Sequence, residues 1–266
     1  MSMTAPSRTG LANGVLWGER AADWSALQER QFCAAYDDVF DHLALAPGAT
    51  LCDLGCGAGM AAQRAAARGW RVVGLDASEP LLAVARERVP GADLRVGDLE
   101  ALPFDSDSVD AVTGFNSFQY AADPVAALVE ARRITRAGGR VVVMTWGSPE
   151  GMEAASLVVA LKPLLPAPPA GAPGPFALSD PAALRRLVEA AGMQPIEVRD
   201  TQVDWTYRDL AEALRGLASS GVAARAIRHS GANAVDEAHA RALAAFRRDD
   251  GGYRIRACAR WIVAGV

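Results

Sequence analysis

After a short apolar run the chain reads Asp53-Leu54-Gly55-Cys56-Gly57-Ala58-Gly59 and then passes into a helical pattern. Glycines here let the backbone turn sharply and let a ligand come close, with helix N–H groups facing it. Nucleotide binders of many kinds share such a loop, so its neighbours decide what fits. The spacing is GxGxG, not the GxGxxG of dinucleotide sites, and Met60 in sixth place would crowd the close helix–strand packing those sites need. Asp53 adds negative charge where a pyrophosphate has no use for it and a cationic ligand would tolerate it. Asp76 ends the next strand, about twenty residues on, placed to accept hydrogen bonds from a ribose diol. Asp98 follows the third strand, with Leu99 beside it and Leu102-Pro103-Phe104 close behind. A carboxylate next to an apolar residue suits an adenine, one taking the exocyclic amine and the other the ring face. Together these acids point to a cationic adenosyl ligand.

Such residues must be positioned at strand ends, and the pattern supplies the strands. Apolar segments at 50–54, 71–76, 93–97, 111–116 and 140–146 alternate with helical segments at 59–68, 79–88 and 124–135. Strands such as Val141-Val142-Val143-Met144 look covered on both faces, as in parallel sheets flanked by helices. The alternation predicts a doubly wound α/β domain. Ser78-Glu79-Pro80 is a helix entry, with a capping side chain and proline in the first turn. Ahead of this region a helix is expected over 19–45, with Phe32, Tyr36, Val39 and Leu43 on one face. Trp17 and Trp24 fall before or at its start, in chain expected to keep some flexibility. Beyond Trp146 a Pro/Gly/Ala linker, PAPPAGAPGP at 166–175, excludes helix and central strand. A helix at 182–191, strand pieces at 196–198 and 203–205 with an irregular middle, and helical pieces to Arg248 follow. The last strand, 253–263, alternates Tyr253, Ile255 and Ala257 with Arg254, Arg256 and Cys258, as an antiparallel strand with one wetter face does.

The stretch from 49 to 146 resembles the class I S-adenosylmethionine-dependent methyltransferases, in particular the small-molecule group (methyltransferase type 11) that includes quinone C-methyltransferases. The resemblance is carried by LCDLGCGAG, VVGLDAS, VGDLEALPF, DSVDAVTGFNSFQY and ARRITRAGGRVVVMTW. It implies a Rossmann-like, mostly parallel seven-stranded sheet with an antiparallel last strand, and a helical lid. It also implies S-adenosylmethionine as cofactor, with Asp53, Gly55 and Gly57 bordering the methionine part and Asp76 holding the ribose. Asp98 and Leu99 would hold the adenine, and Phe115 and Asn116 would lie near the sulfonium. Cys56 and Ala77, inside the same motifs, complete the expected cofactor set. The implied activity is in-line methyl transfer to a small hydrophobic metabolite, which needs neither metal nor covalent nucleophile. Positioning and water exclusion can supply ~7–11 kcal/mol of such a barrier. The alternative within this fold is a protein that binds the same cofactor and catalyses a non-methyl reaction, such as a pericyclic one.

The acceptor should sit over the carboxyl ends of the strands, beneath parts outside the core. One domain is expected, with its core at about 46–147, 180–206 and 252–266 and lid elements at about 1–45, 148–179 and 207–251. Candidate wall residues are Trp17, Trp24, Phe118, Tyr120, Trp146, Phe176 and Trp205. Of the three histidines, His42 and His229 read as surface. His239 falls among Val235, Ala242, Leu243 and Phe246 on an apolar helix face, with Asn233 as cap, and is the candidate general base.

Bulk properties narrow the partners. The net charge of −4 and a single lysine, Lys162, leave no field for a polyanion, so no nucleic-acid partner is expected. The longest apolar stretch, 154–161, is cut by Lys162 and Pro163 and is too short to span a membrane. No apolar leader segment is visible at the N-terminus. Cys33, Cys52, Cys56 and Cys258 show no metal-ligand spacing and fit a reducing, cytoplasmic setting. A homodimer is compatible with all of this. Two other classes remain open: a nicotinamide-dependent oxidoreductase, disfavoured by GxGxG and Asp53, and a partner-binding module using Arg254, Arg256 and Arg260, which read more simply as a solvated or ion-paired strand face.

Overall fold

The computed structural model describes residues 9–168 and 174–266. Seven strands, β1 (Thr50–Leu54), β2 (Arg71–Asp76), β3 (Asp93–Val96), β4 (Val109–Phe115), β5 (Thr135–Trp146), β6 (Gln194–Tyr207) and β7 (Tyr253–Gly265), form one sheet in the order β3-β2-β1-β4-β5-β7-β6. The first five pair in parallel, and β7 runs antiparallel between β5 and β6. The strand order reverses between β1 and β4, which opens a crevice at their carboxyl ends, the usual ligand position in such sheets.

Alternation along β5 shows why both faces need cover. Val142 and Met144 pack with Phe32, Phe40 and Trp70 on one side, while Val141 and Val143 pack with Leu128, Ile134 and Ile262 on the other. The covering helices are α1 (Gly10–Gly18), the single turn α2 (Ala21–Asp23), α3 (Cys33–Leu43), α4 (Met60–Ala67), α5 (Glu79–Arg88), α6 (Pro124–Ile134), α7 (Ala154–Ala160), α8 (Pro181–Ala190), α9 (Leu210–Ala218), α10 (Gly221–Ser230) and α11 (Ala232–Leu243). Three of them start as their sequences dictate. Ser78 accepts from the Leu81 N–H, Asp123 from Val125 and Ala126, and Asp180 from Ala182 and Ala183, each with proline in the first turn.

Four features differ from the expectations. The N-terminal helical region starts at Gly10, not near Glu19, and passes from α1 through α2, a π turn (Trp24–Gln28) and a 3-10 turn (Glu29–Phe32) into α3. Its first helix carries three glycines that depress helix propensity, and tertiary contacts hold it instead. Trp17 is therefore fixed within α1, edge-on to Trp24 at 4.9 Å between ring centroids. The two strand pieces expected at 196–198 and 203–205 are one strand. Their polar middle is paired along its length by β7, Asp200 opposite Arg260 and Asp204 opposite Arg256, with a bulge only near Pro195. Helix α11 begins after Gly231 without an Asn233 cap and ends at Leu243, leaving Arg247 and Arg248 beyond it. Of the linker, residues 169–173 lie outside the described residues.

Candidate functional site

The glycine loop leaves β1 at the switch point. Gly55 and Cys56 both donate to the Leu75 carbonyl of β2, at 2.7 and 3.1 Å, which pins the loop against the next strand end. Gly59 takes φ +82°, and a Cβ there would lie 2.9 Å from that of Ala85, so only glycine lets α4 start this close to α5. Asp76 closes the far side. Its Oδ2 accepts the Gly57 N–H and its Oδ1 the Ser78 N–H, both at 2.8 Å. Asp98 is held the same way, by the N–H groups of Gly10 (3.1 Å) and Glu100 (2.9 Å). A carboxylate has about four acceptor positions, so each acid is oriented by backbone and still has lone pairs for a ligand.

These residues surround a cavity of about 120 Å³. Gly55, Gly57, Asp76 and Ala77 line it from the first two strand ends, Asp98 and Leu99 from the third, and Phe115 and Asn116 from the fourth. Asp53 and Cys56 stand behind the loop and do not line the cavity. Asp53 faces Thr113 across the β1–β4 register and accepts its hydroxyl at 2.9 Å. Burial pushes its carboxyl up to about 7, with Glu29 and Asp76 adding to the rise and Thr113 opposing it. Cys56 packs among Leu82, Ala85 and Leu94, and burial pushes its thiol well up, so it is inert at neutral pH.

Two contributors to the site stand outside the expected cofactor-binding set. The first is Glu29, from the 3-10 turn before α3. It is 3% exposed, pairs with Arg88 at 2.6 Å and accepts the Met60 N–H at the start of α4. Burial raises its pKa, with Arg88 pulling the other way. Glu29, Asp53 and Asp76 thus place three carboxyls about the loop with one nearby guanidinium, an arrangement that favours a cation and disfavours a pyrophosphate. The second is α1, which roofs the cavity. Gly14 lies so close to the β2 end that a Cβ would fall 2.1 Å from the Ala77 carbonyl oxygen. Thr9 and Asn13 both donate to the Tyr120 carbonyl. The spacing Gly10, Gly14, Gly18 was the available signal, a helix face stripped of side chains for close approach.

A second cavity, of about 400 Å³, adjoins the first. Trp17, Trp24, Asn116 and Tyr120 line both, so they mark the junction. Of the other expected wall residues, Trp146 and Trp205 line the second cavity. Phe118 does not: it is fully buried beneath Gly114, where a Cβ would lie 2.2 Å from its ring. Phe176 does not either, being packed against the core instead. Phe32, Trp146 and Trp205 form a cluster with centroids 5.7–5.8 Å apart. Leu157 of α7, Leu217 of α9 and Val222 of α10 add aliphatic wall. No charged side chain is among the described lining residues. Tyr120, its phenol pushed up to about 12 by burial, stays neutral.

His239 reaches this second cavity from α11. It is 2% exposed, its Nδ1 has no partner among the described residues, and burial pulls its pKa down to about 4. His42 instead pairs with Glu197 against Trp261, and His229 is exposed. Buried polar atoms are nearly always paired in folded proteins. Among the described residues five side-chain atoms are not: Trp24 Nε1, Ser117 Oγ, Gln119 Oε1, Trp205 Nε1 and His239 Nδ1. Every one belongs to a residue lining one of the two cavities.

Arg254, Arg256 and Arg260 pair with Asp204, Glu153 and Asp200, so that face is an ion-paired strand surface. Among the described residues no helix is long and apolar enough to cross a membrane, and no cluster of three metal-ligating side chains exists.

Comparison with known proteins gives a consistent answer. The family described as "Methyltransferase domain" matches residues 52–143. A demethylmenaquinone methyltransferase from Mycobacterium sp. (strain KMS) is 33% identical over 206 residues, which cover 73% of this chain and 84% of that protein. The chain spans only 32% and 47% of the length of two other relatives, from Streptomyces fradiae and Renibacterium salmoninarum, at 37% identity each. Among solved structures, one from work on the conversion of a disulfide bond into a thioacetal group during echinomycin biosynthesis matches with a TM-score of 0.59 at 18% identity, covering 97% of this chain and 92% of that one. The [4+2]-cyclase SpnF matches at 0.55 and 20% identity, over 88% and 80%. At these identities the structural matches speak for the fold alone.

Proposed function

The chain belongs to the S-adenosylmethionine-dependent methyltransferases, and from that premise we propose that it methylates a small, uncharged, largely apolar molecule held in the second cavity. The observation carrying this reading is the shared wall at Asn116 and Tyr120, where a cavity edged by acids adjoins one without charged side chains among its described lining. Bound S-adenosylmethionine supplies an already activated methyl on a sulfonium, so the chain's part is to hold, orient and keep out water.

Asp76 suits the ribose diol and Asp98 with Leu99 the adenine, each charge-assisted hydrogen bond being worth ~1.5–3 kcal/mol. The carboxyls of Glu29, Asp53 and Asp76 favour the positive charge of the donor. Helix α1, with Trp17, roofs the junction and excludes water from the line of transfer. In the displacement the acceptor's nucleophilic atom gains the methyl while the sulfonium's S–C bond breaks and leaves a thioether. A nucleophile that starts protonated must also shed its proton. With its pKa near 4, His239 is a weak proton acceptor at neutral pH and better fitted to hydrogen bonding. A reaction without methyl transfer would use the same two cavities, and no feature of them favours it.

The test is incubation with methyl-labelled S-adenosylmethionine and an extract of bacterial metabolites, followed by mass spectrometry. A labelled, uncharged product formed in step with S-adenosylhomocysteine is the expected result. Product formed without S-adenosylhomocysteine would favour the non-methyl reading.

A further inference from the structure

Resting on the methyl-donor reading of the first cavity, we propose that Glu29 and Arg88 are positioning residues for the donor. They form a largely buried ion pair that clamps the second half of the glycine loop to the π turn carrying Trp24. The balance of charge within that pair then sets how far the site prefers a sulfonium to a thioether. Neither residue is among the described lining of either cavity, so both act through what they hold. Arg88 is the last residue of α5, and its guanidinium reaches three places. Nη1 donates to Glu29 Oε2 at 2.6 Å and to the Ala58 carbonyl at 2.7 Å, while Nη2 donates to the Ser25 carbonyl at 3.3 Å. Glu29 returns to the loop, its Oε1 accepting the Met60 N–H at 3.3 Å. The same oxygen lies 3.3 Å from where a Cβ on Gly57 would stand.

What the pair holds is chain that borders the ligand. Gly57 lines the first cavity and donates its N–H to Asp76, and Trp24, next to Ser25, lines both cavities. One guanidinium and one carboxylate thus fix the π turn and the glycine loop against the end of α5, segments far apart in sequence. Taking two charges out of water offsets most of their attraction, so such a pair adds little to stability and serves to fix geometry. Its charge counts as well. The intact pair is neutral as a whole. With Glu29 neutralised the Arg88 cation remains behind the loop, and with Arg88 removed a carboxylate remains. In poorly screened surroundings a sulfonium feels either change far more than an uncharged thioether does.

The test is calorimetric titration of the full chain and of Glu29→Gln, Arg88→Met and the double variant, at pH 7, with S-adenosylmethionine and with S-adenosylhomocysteine. Each single variant should bind S-adenosylhomocysteine about tenfold more weakly, and the double variant no more weakly than the worse single, because the two residues act as one clamp. Preference for S-adenosylmethionine over S-adenosylhomocysteine should move in opposite directions, falling about three- to tenfold in Glu29→Gln and rising in Arg88→Met. Glu79→Gln, which breaks an exposed pair with Arg86 on the same helix, should change neither affinity nor preference. A purely structural role predicts lower melting with unchanged affinities in the protein that stays folded. That result, or a preference that does not distinguish the two single variants, would overturn the proposal. Should Arg88→Met fail to fold, Arg88→Lys keeps the charge without the three-way fork and should weaken both ligands without changing the preference. Unchanged affinities there would overturn the proposal equally. A parent chain that binds neither ligand would overturn the methyl-donor reading and, with it, the proposal that rests on it.

Discussion

The two cavities share a boundary of four residues and are built from opposite materials. The first is a product of the sheet: its acids sit at consecutive strand ends, each oriented by backbone N–H groups, and its glycines let the chain fold tightly around a ligand. The second is a product of the helices, with walls from the π turn, α7, α9, α10 and α11 and from the far end of β6. One is charged and fixed by hydrogen bonds, the other uncharged and shaped by packing. The difference teaches a division of labour. On the proposed reading, methyl-donor binding falls to the sheet edge and contact with the acceptor to the helices around the second cavity.

That division can be broken by substitution. Asp76→Ala should cost the largest share of cofactor binding, ~10- to 100-fold weaker S-adenosylmethionine by calorimetry, with binding of a small apolar probe such as 2-naphthol to the second cavity little changed. Equal loss in both cavities would mean that they are one unit. Gly14→Ala challenges the boundary from the other side, since the new methyl cannot fit beside the Ala77 carbonyl and α1 must lift. Weaker binding in both cavities, on the order of tenfold, is expected, because Trp17 of α1 lines both. Trp146→Ala should act on one cavity only, weakening naphthol severalfold while S-adenosylmethionine titrates as before. The smallest effect is one of pH. Asp53, raised by burial to about 7, ionises more readily with a cation beside it, so cofactor affinity should rise severalfold between about pH 6 and 8. Binding at pH 7 should release up to about half a proton, visible as a buffer-dependent heat. In the ligand-free protein the same group works the other way: the folded chain keeps a proton that the unfolded chain gives up, so stability contributed by Asp53 falls as pH rises from about 4 to 7.

How much could be read beforehand follows the same boundary. Asp76, Asp98, Phe115 and Asn116 were legible because each ends a strand or follows its end within two residues, and strand ends of a doubly wound sheet converge by topology alone. Asp53 belongs to the same motif, yet its place in the β1–β4 register turns its carboxyl to Thr113, a fact about pairing that a motif does not carry. Phe118 is one residue from the cavity-lining Ser117 and Gln119 and points the other way, under Gly114. Glu29 was missed because its partners, Arg88 and Met60, are distant in sequence and meet it only through packing of the helical layer. A lid over 1–45 was expected, but α1 was not read as helix, because glycines that weaken a helix locally are what let it lie flat on the first cavity. His239 could be suspected from its apolar face, but its unpaired nitrogen exists only in the assembled wall.

On the proposed reading the acids around the glycine loop hold a cationic adenosyl ligand. Calorimetric titration of the full chain with S-adenosylmethionine and, separately, with NAD tests it most directly. Saturable binding of S-adenosylmethionine at one site per chain, strengthened from pH 6 to 8, is expected, with no binding of NAD. Saturable NAD binding with none of S-adenosylmethionine would contradict it.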